Sequence, residues 1–269
     1  MSLYVFEDKA RKKELKAKDA QKCNKGIRYY CPNPACNAKM FLWSLDGERT
    51  AHFQSKGEPG HIEHCPFGSE NNFHSTYWKE EDFNADNAIE HLMNGKRTNL
   101  STNKMSPKDK TTDDKSTKAM KPHTIRQIYD MCKAHSCKDS FNNQLIGNIL
   151  VDNRSMFMYP RGVFGYHLIE AKCKRWFYDN NCIYLVSFTP KEEYEFELRF
   201  SDTKLYNEIK NMLYNNREYV IIVAGKWEKS DKFNQFSSKC NCKVSAKYCY
   251  AIHELRLHQN DRCKRFTLV

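Results

Sequence analysis

Two short clusters of metal-ligand residue types constrain this chain more than anything else in it. Cys31-Pro-Asn-Pro-Ala-Cys36 sets two cysteines on a tight, proline-bearing turn, and His61-Ile-Glu-His-Cys65 follows about 25–30 residues later. Thiolates and an imidazole brought to one point make a tetrahedral site, and zinc suits that mixed donor set. A small module has little core of its own, so a structural ion supplies stability that packing cannot. Cys31, Cys36 and Cys65 are read as three of the ligands. The fourth is open among three histidines. His61 and Cys65 lie four apart and would share one face of a helical turn, which favours His61. His64 adjoins Cys65 and points elsewhere. His52, beside Phe53, suits a core histidine or one that supports a ligand.

The residues around the clusters read as strands. Tyr29-Tyr30 leads into the knuckle, Ala38 to Trp43 alternates, Leu45 to Glu48 supplies a turn and Ala51-His52-Phe53 returns. Gly57 to Gly60 breaks the chain before His61. The expectation for residues 1–95 is a small, zinc-ribbon-like module with one structural zinc.

The block from Asp8 to Phe67 resembles the N-terminal zinc module of the competence protein CoiA-like family. The likeness rests on Ala20, Tyr30-Cys31-Pro32, Cys36, the turn at Gly47, Ala51-His52-Phe53 and the closing His61-Ile-Glu-His-Cys65-Pro-Phe67. The chain departs from the family's usual Cys-x-x-Cys and His-Phe-x-His runs. Four residues separate Cys31 from Cys36, and Ser55 stands where the second histidine of that run would fall. The resemblance implies a zinc site followed by a restriction-type nuclease domain.

Charge divides the rest. The chain has 269 residues and a net charge of +11. Residues 96–123 carry eight basic and three acidic side chains with almost no large apolar ones, too little to offset chain entropy. They read as a flexible basic linker. Elsewhere 40% hydrophobic residues exclude a disordered chain. No window approaches a membrane span, and a charged run follows the first residues where a secretory signal would be apolar. The reading is cytoplasmic, without membrane association. In that compartment twelve cysteines suggest metal ligands or buried thiols before disulfides.

Residues 124–269 read as a mixed, mainly antiparallel β domain. Thr124 caps a helix through Ile125, Ile128, Tyr129 and Cys132. Cys132 and Cys137, with His135 between them, read as fold-stabilising or free thiols. Val163 to Tyr178 is a long strand, Asp179-Asn-Asn181 a turn, Cys182 to Phe188 a second strand and Tyr194 to Phe200 a third. Asp202 caps a helix through Leu205, Ile209, Met212 and Leu213. Glu218 to Trp227 is the fourth strand, Ser230 to Ser245 a polar excursion and Lys247 to Leu257 the fifth strand. Three strands, a helix and two strands is the order of an oligonucleotide-binding (OB) barrel, and the fold class expected is α+β with an OB-like barrel.

In such a barrel, nucleic acid crosses strands two and three and is gripped by the loops after strands one and four. Bases stack on aromatics while lysine and arginine follow the phosphates. The residues expected to do this are Lys172, Lys174, Arg175, Trp176, Lys226, Trp227, Lys229 and Phe236. A second zinc at Cys240, Cys242 and Cys249, completed by His253 or Cys263, is a subsidiary possibility.

The function expected is non-catalytic binding of nucleic acid, single-stranded by preference. An enzymatic alternative uses Asp152 with Glu170-Ala-Lys172, the acidic pattern of Mg²⁺-dependent restriction-type nucleases. A third class is a phage or mobile-element factor that binds a host defence or recombination protein. The lysine, asparagine and tyrosine usage fits an AT-rich bacterial or phage genome. No phosphate-binding loop, dinucleotide fingerprint or nucleophile elbow is present.

Overall fold

The computed structural model describes residues 1–47, 50–63, 65–68, 71, 73, 80, 83–94, 122, 124–188, 194–217, 219–230, 237–242 and 256–259. Apart from residue 122, the expected linker lies outside them, as do His64, Phe236, Cys249, His253 and Cys263. Side-chain surroundings are described for none of residues 237–242 and 256–259.

The N-terminal strands are β1 (Tyr4–Phe6), β2 (Glu14–Lys16), β3 (Tyr29–Tyr30), β4 (Lys39–Trp43) and β5 (His52–Ser55). They form one antiparallel sheet in the order β2-β1-β3-β4-β5. A bridge between Ser2 and Phe53 brings β5 back to the start of β1. The sequence marks neither β1 nor β2, because the latter lies inside a run dominated by lysine. Alternation along β4 buries Met40 and Leu42 with Tyr29 and Phe53, and turns Lys39, Phe41 and Trp43 outward.

Three helices and three short strands are described next: α1 (Ala85–Asn94), α2 (Ile125–Ala134), β6 (Ser140–Phe141), β7 (Gln144–Leu145), α3 (Ile146–Ile149) and β8 (Leu150–Val151). Thr124 caps α2 as expected, accepting from the Gln127 amide while the Gln127 side chain accepts from the Thr124 amide. Asn142 and Asn143 take left-handed conformations in the β6–β7 turn, which asparagine tolerates.

Then come β9 (Gly165–Asp179), β10 (Cys182–Val186), β11 (Glu195–Phe200), α4 (Thr203–Tyr214), β12 (Tyr219–Lys229), β13 (Ser237–Cys242) and β14 (Arg256–Gln259). Asn180 and Asn181 turn the chain tightly between β9 and β10. Asp202 caps α4 by accepting from the Lys204 and Leu205 amides. Pairings run β9–β10, β10–β11, β11–β13, β13–β12 and β12–β9, so five strands close into a ring. Only β11–β13 is parallel within it. The architecture is thus mixed α+β with mostly antiparallel sheets.

The fifth strand of the ring corrects the sequence expectation. It is β13, inside the segment read as a polar excursion, not Lys247–Leu257. The run Ser-Ser-Lys-Cys-Asn-Cys has no apolar alternation; ladder hydrogen bonds to β11 and β12 define this strand instead. Arg256 and Leu257 belong to β14, which pairs with β12 outside the ring, and residues 247–255 lie outside those described.

Alternation sorts β9 and β12 into two cores. Ile169, Ala171, Ile221, Val223 and Trp227 face the interior of the ring, where Ile209 and Leu213 of α4 join them. Leu168, Ile222 and Ala224 face outward and are covered by Ile89 of α1 and by Ile125 and Ile128 of α2. This explains why β12 reads as continuously apolar: both of its faces are buried. Helix α1, in the segment assigned from sequence to the N-terminal module, therefore packs against the ring. Among the described residues, no helix is long and apolar enough to cross a membrane.

Candidate metal centre and nucleic-acid surface

The knuckle is built by backbone turns and one arginine. Asn33 Oδ1 accepts from the Ala35 amide at 3.1 Å, and the Cys36 amide donates to Asn33 O at 3.0 Å. Arg11 then ties the loop down, donating to the carbonyls of Cys31, Asn33 and Cys36 at 2.9–3.0 Å. Sequence reasoning missed Arg11, whose role depends on the fold bringing the start of the chain beside the knuckle.

Cys31, Cys36, His61 and Cys65 come together, with ligand atoms all within 4.8 Å of one another. Cys31 Sγ lies 3.6 Å from Cys65 Sγ, and Cys36 Sγ lies 3.5 Å from His61 Nδ1. A tetrahedral ion with metal–sulfur bonds of about 2.3 Å separates its ligands by about 3.8 Å, so these spacings fit. The three sulfurs are buried and the histidine half-buried. These four residues can hold a metal ion. Asn33 Nδ2 lies 3.7 Å from Cys65 Sγ, placed to support that thiolate.

His61 reaches the site differently from the expectation. No helical turn runs from it to Cys65; the chain turns through a Cys65 amide bond to Ile62 O, and the Gly68 amide bonds to Cys65 O. Gly68 packs closely here: a Cβ would sit 3.2 Å from Cys65 O and 3.3 Å from His61 Cγ, so these neighbours would have to give by a few tenths of an ångström. His52 stays on β5, opposite Trp43, with Nδ1 3.0 Å from Thr50 O.

Burial raises the Cys31 thiol well above its ordinary value, while hydrogen bonds from Cys31 and Cys65 hold Cys36 low.

The residues of the enzymatic alternative are only partly brought together. β8 runs parallel to β9, which sets Asp152 beside Glu170. The ammonium between them belongs to Lys133 of α2, at 2.7 Å from Asp152 and 2.8 Å from Glu170. Arg154 donates to Asp152 at 2.8 Å and Tyr129 to Glu170 at 2.8 Å. Burial pushes the Asp152 carboxyl up, but Arg154 and Lys133 outweigh it and hold the group at about 2. Lys172 does not join; it is exposed, its ammonium 5.7 Å from the Phe188 ring. Cys132 and Cys137 are free, buried thiols.

Of the residues expected to meet nucleic acid, Trp176 stands out at 80% exposure. Leu185 pairs with Cys173 and Ile183 with Tyr178, so Lys174 to Phe177 stand opposite Tyr184 alone. The strand bulges there and throws Arg175 and Trp176 outward. Beside them, Tyr178 carries Lys210 of α4 over its ring at 5.3 Å, and Arg217 lies 4.7 Å from the Tyr214 ring.

Trp227 corrects the expectation. It is 1% exposed, packs edge-on against Phe196 and donates Nε1–H to His167 O at 3.2 Å. The strand period that turns Ile221 and Val223 inward carries Trp227 inward too. Lys174 forms an ion pair with Glu195. Lys226 and Lys229 are exposed, but Lys226 pairs in register with Tyr166, near the other end of β9 and up to about 30 Å from Trp176 along the strand. On β11, Glu195 and Glu197 are buried and take up Lys174 and Arg199 in ion pairs, so these two cations are already matched.

No family model matches the chain, and no curated protein or solved structure matches it. The likeness to the CoiA-like zinc module rests on the residues quoted above alone. The fold and site define a class: an α+β protein in which a cysteine–histidine cluster able to hold a metal adjoins a closed five-stranded ring.

Proposed function

We propose that this chain is a zinc-bearing protein that binds single-stranded nucleic acid without cleaving it. The observation that carries the proposal is Trp176, exposed on a β-bulge with Arg175 beside it and Lys210 and Arg217 nearby. An exposed indole on a basic surface is the arrangement that stacks bases and follows phosphates. The ring's connectivity supports an OB-like reading: three antiparallel strands, a helix, then two strands, with the third and fifth parallel. Strand one and the hairpin after it are the proposed contact, because Arg175 and Trp176 are exposed there while Lys174 and Arg199 are held in ion pairs with Glu195 and Glu197.

Zinc is the ion proposed for Cys31, Cys36, His61 and Cys65, since three thiolates and one imidazole form a closed structural set. The Asp152–Lys133–Glu170 cluster is read as structural. Its carboxylates are already matched by Lys133, Arg154 and Tyr129, and a Mg²⁺ ion would have to displace a buried ammonium. The cytoplasm is the proposed compartment, since a thiol-rich zinc site persists where thiols stay reduced.

Titration of labelled single-stranded and duplex DNA at two salt concentrations, with Mg²⁺ present and products run on a gel, tests this. Preference for the single strand, steep salt dependence and intact DNA are expected. Cleaved DNA, or binding no tighter than about 10⁻⁴ M, counts against it.

A further inference from the structure

A second surface with the same chemistry lies on the metal-bearing sheet. Lys39, Phe41 and Trp43 alternate on β4 and so share its outward face, with the two rings about 7 Å apart along the strand. Together with Lys56, Gly57 and Glu58 they line a groove of about 540 Å³. Trp43 is 42% exposed, so much of its indole is open to a ligand. Lys56 holds its ammonium 5.7 Å from that indole, and Arg28 holds its guanidinium 5.3 Å from the Tyr30 ring on the neighbouring strand. Glu58, the one acid among the described residues lining the groove, accepts from the Gly60 amide in its own loop.

We infer that this groove is a second stacking station for single-stranded nucleic acid. It rests on the reading that the chain binds such a strand. A base stacks on Trp43 or Phe41 while Lys39 and Lys56 meet adjacent phosphates. Aromatic-lined grooves also take proline-rich peptides, but those carry no charge for this rim of cations to meet, whereas a polyanion does. Both stations lie on the same chain, so a strand long enough to engage both gains affinity from the second without a second bimolecular step.

The test uses the full metal-loaded chain and a long oligothymidine. Trp43→Ala should weaken binding roughly five- to hundredfold, the range for losing one stacking aromatic. The Lys39→Ala, Lys56→Ala double variant should reduce the slope of log affinity against log salt by about 1.4, for two lost phosphate contacts on a single strand. Metal content and thermal midpoint should match wild type, because all three side chains turn outward. If wild type binds and Trp43→Ala binds within twofold of it, the groove is not on the path and the inference fails, while the contact at Trp176 stands. If wild type binds no oligothymidine, both fall. If wild type binds a proline-rich peptide that Trp43→Ala does not, while the two bind oligothymidine within twofold of each other, the inference is overturned in favour of a peptide groove.

Discussion

The guanidinium of Arg154 donates to the phenolic oxygen of Tyr4 at 2.8 Å, joining residues 150 positions apart. The same side chain bonds Asp152, the carbonyls of His135 and Cys132, and lies over the ring of Phe67, two residues past Cys65 of the cluster. Lys133 ties Asp152 on to Glu170 of the ring. One buried network therefore fastens the sheet that carries the cysteine–histidine cluster to α2 and β9, and Asp152 is its centre. Lys16–Asp139 and Ser136–Glu14 bonds reinforce the same junction.

Asp152→Asn should destabilise the chain by about 3 kcal/mol, because it strips the charge that balances buried Lys133 and Arg154. The sign of the pH dependence follows from the depressed carboxyl. Its folded value of about 2 lies below the ordinary 3.8, so the stabilisation is fully present above pH 3.8 and is lost as pH falls toward 2. The shift corresponds to about 2 kcal/mol. Denaturant unfolding of wild type and variant across that window should show the difference shrinking as pH drops. Equal stabilities at neutral pH would contradict the role given to Asp152.

The metal cluster predicts one zinc ion per chain. Cys36→Ser and His61→Ala should lose it, while His52→Ala should keep it, measured as metal content by mass spectrometry. Chelation should lower the thermal midpoint of the wild-type protein, as the ion's binding free energy is part of the folding free energy. Arg11→Ala keeps all four ligands but frees the knuckle carbonyls, so it should weaken metal affinity by about tenfold. Retention of zinc by His61→Ala with loss in His52→Ala would reverse the ligand assignment.

The two tryptophans of the ring should behave in opposite ways. Trp227→Ala opens a cavity among Phe196, Ile221 and Val223 and should cost about 3–5 kcal/mol of stability. Trp176→Ala should leave the unfolding midpoint nearly unchanged, since its side chain is 80% exposed.

Much of this molecule is legible where local chemistry decides. Asp202 and Thr124 cap helices as their neighbours require, Asn180 and Asn181 turn a hairpin, and the spacing of Cys31, Cys36, His61 and Cys65 marks a metal site. Four-residue spacing favours His61 by way of a helical turn; in the structure the Cys65 amide bond to Ile62 O and the close approach of Gly68 accompany its meeting with Cys36. Strand β13 was hidden because partner strands, not its own residues, define it. Helix α1 carries Ala88, Ile89, Leu92 and Met93 at helical spacing, so its apolar face is legible in the sequence. Arg11, Lys133 and Arg154 act only through residues distant in sequence, and no local pattern marks them. Trp227 looked like a stacking residue because it stands among lysines. Only the inward phase of β12, fixed by Ile221 and Val223, shows that it is core.

The most direct measurement is a titration of labelled single-stranded DNA with zinc-loaded wild type and with Trp176→Ala, at low and high salt. The expected result is tight, salt-steep binding by wild type and a loss of roughly five- to hundredfold in the variant, with thermal midpoints alike. Equal affinities for the two proteins, or wild-type binding that ignores salt, would contradict a nucleic-acid surface centred on Trp176.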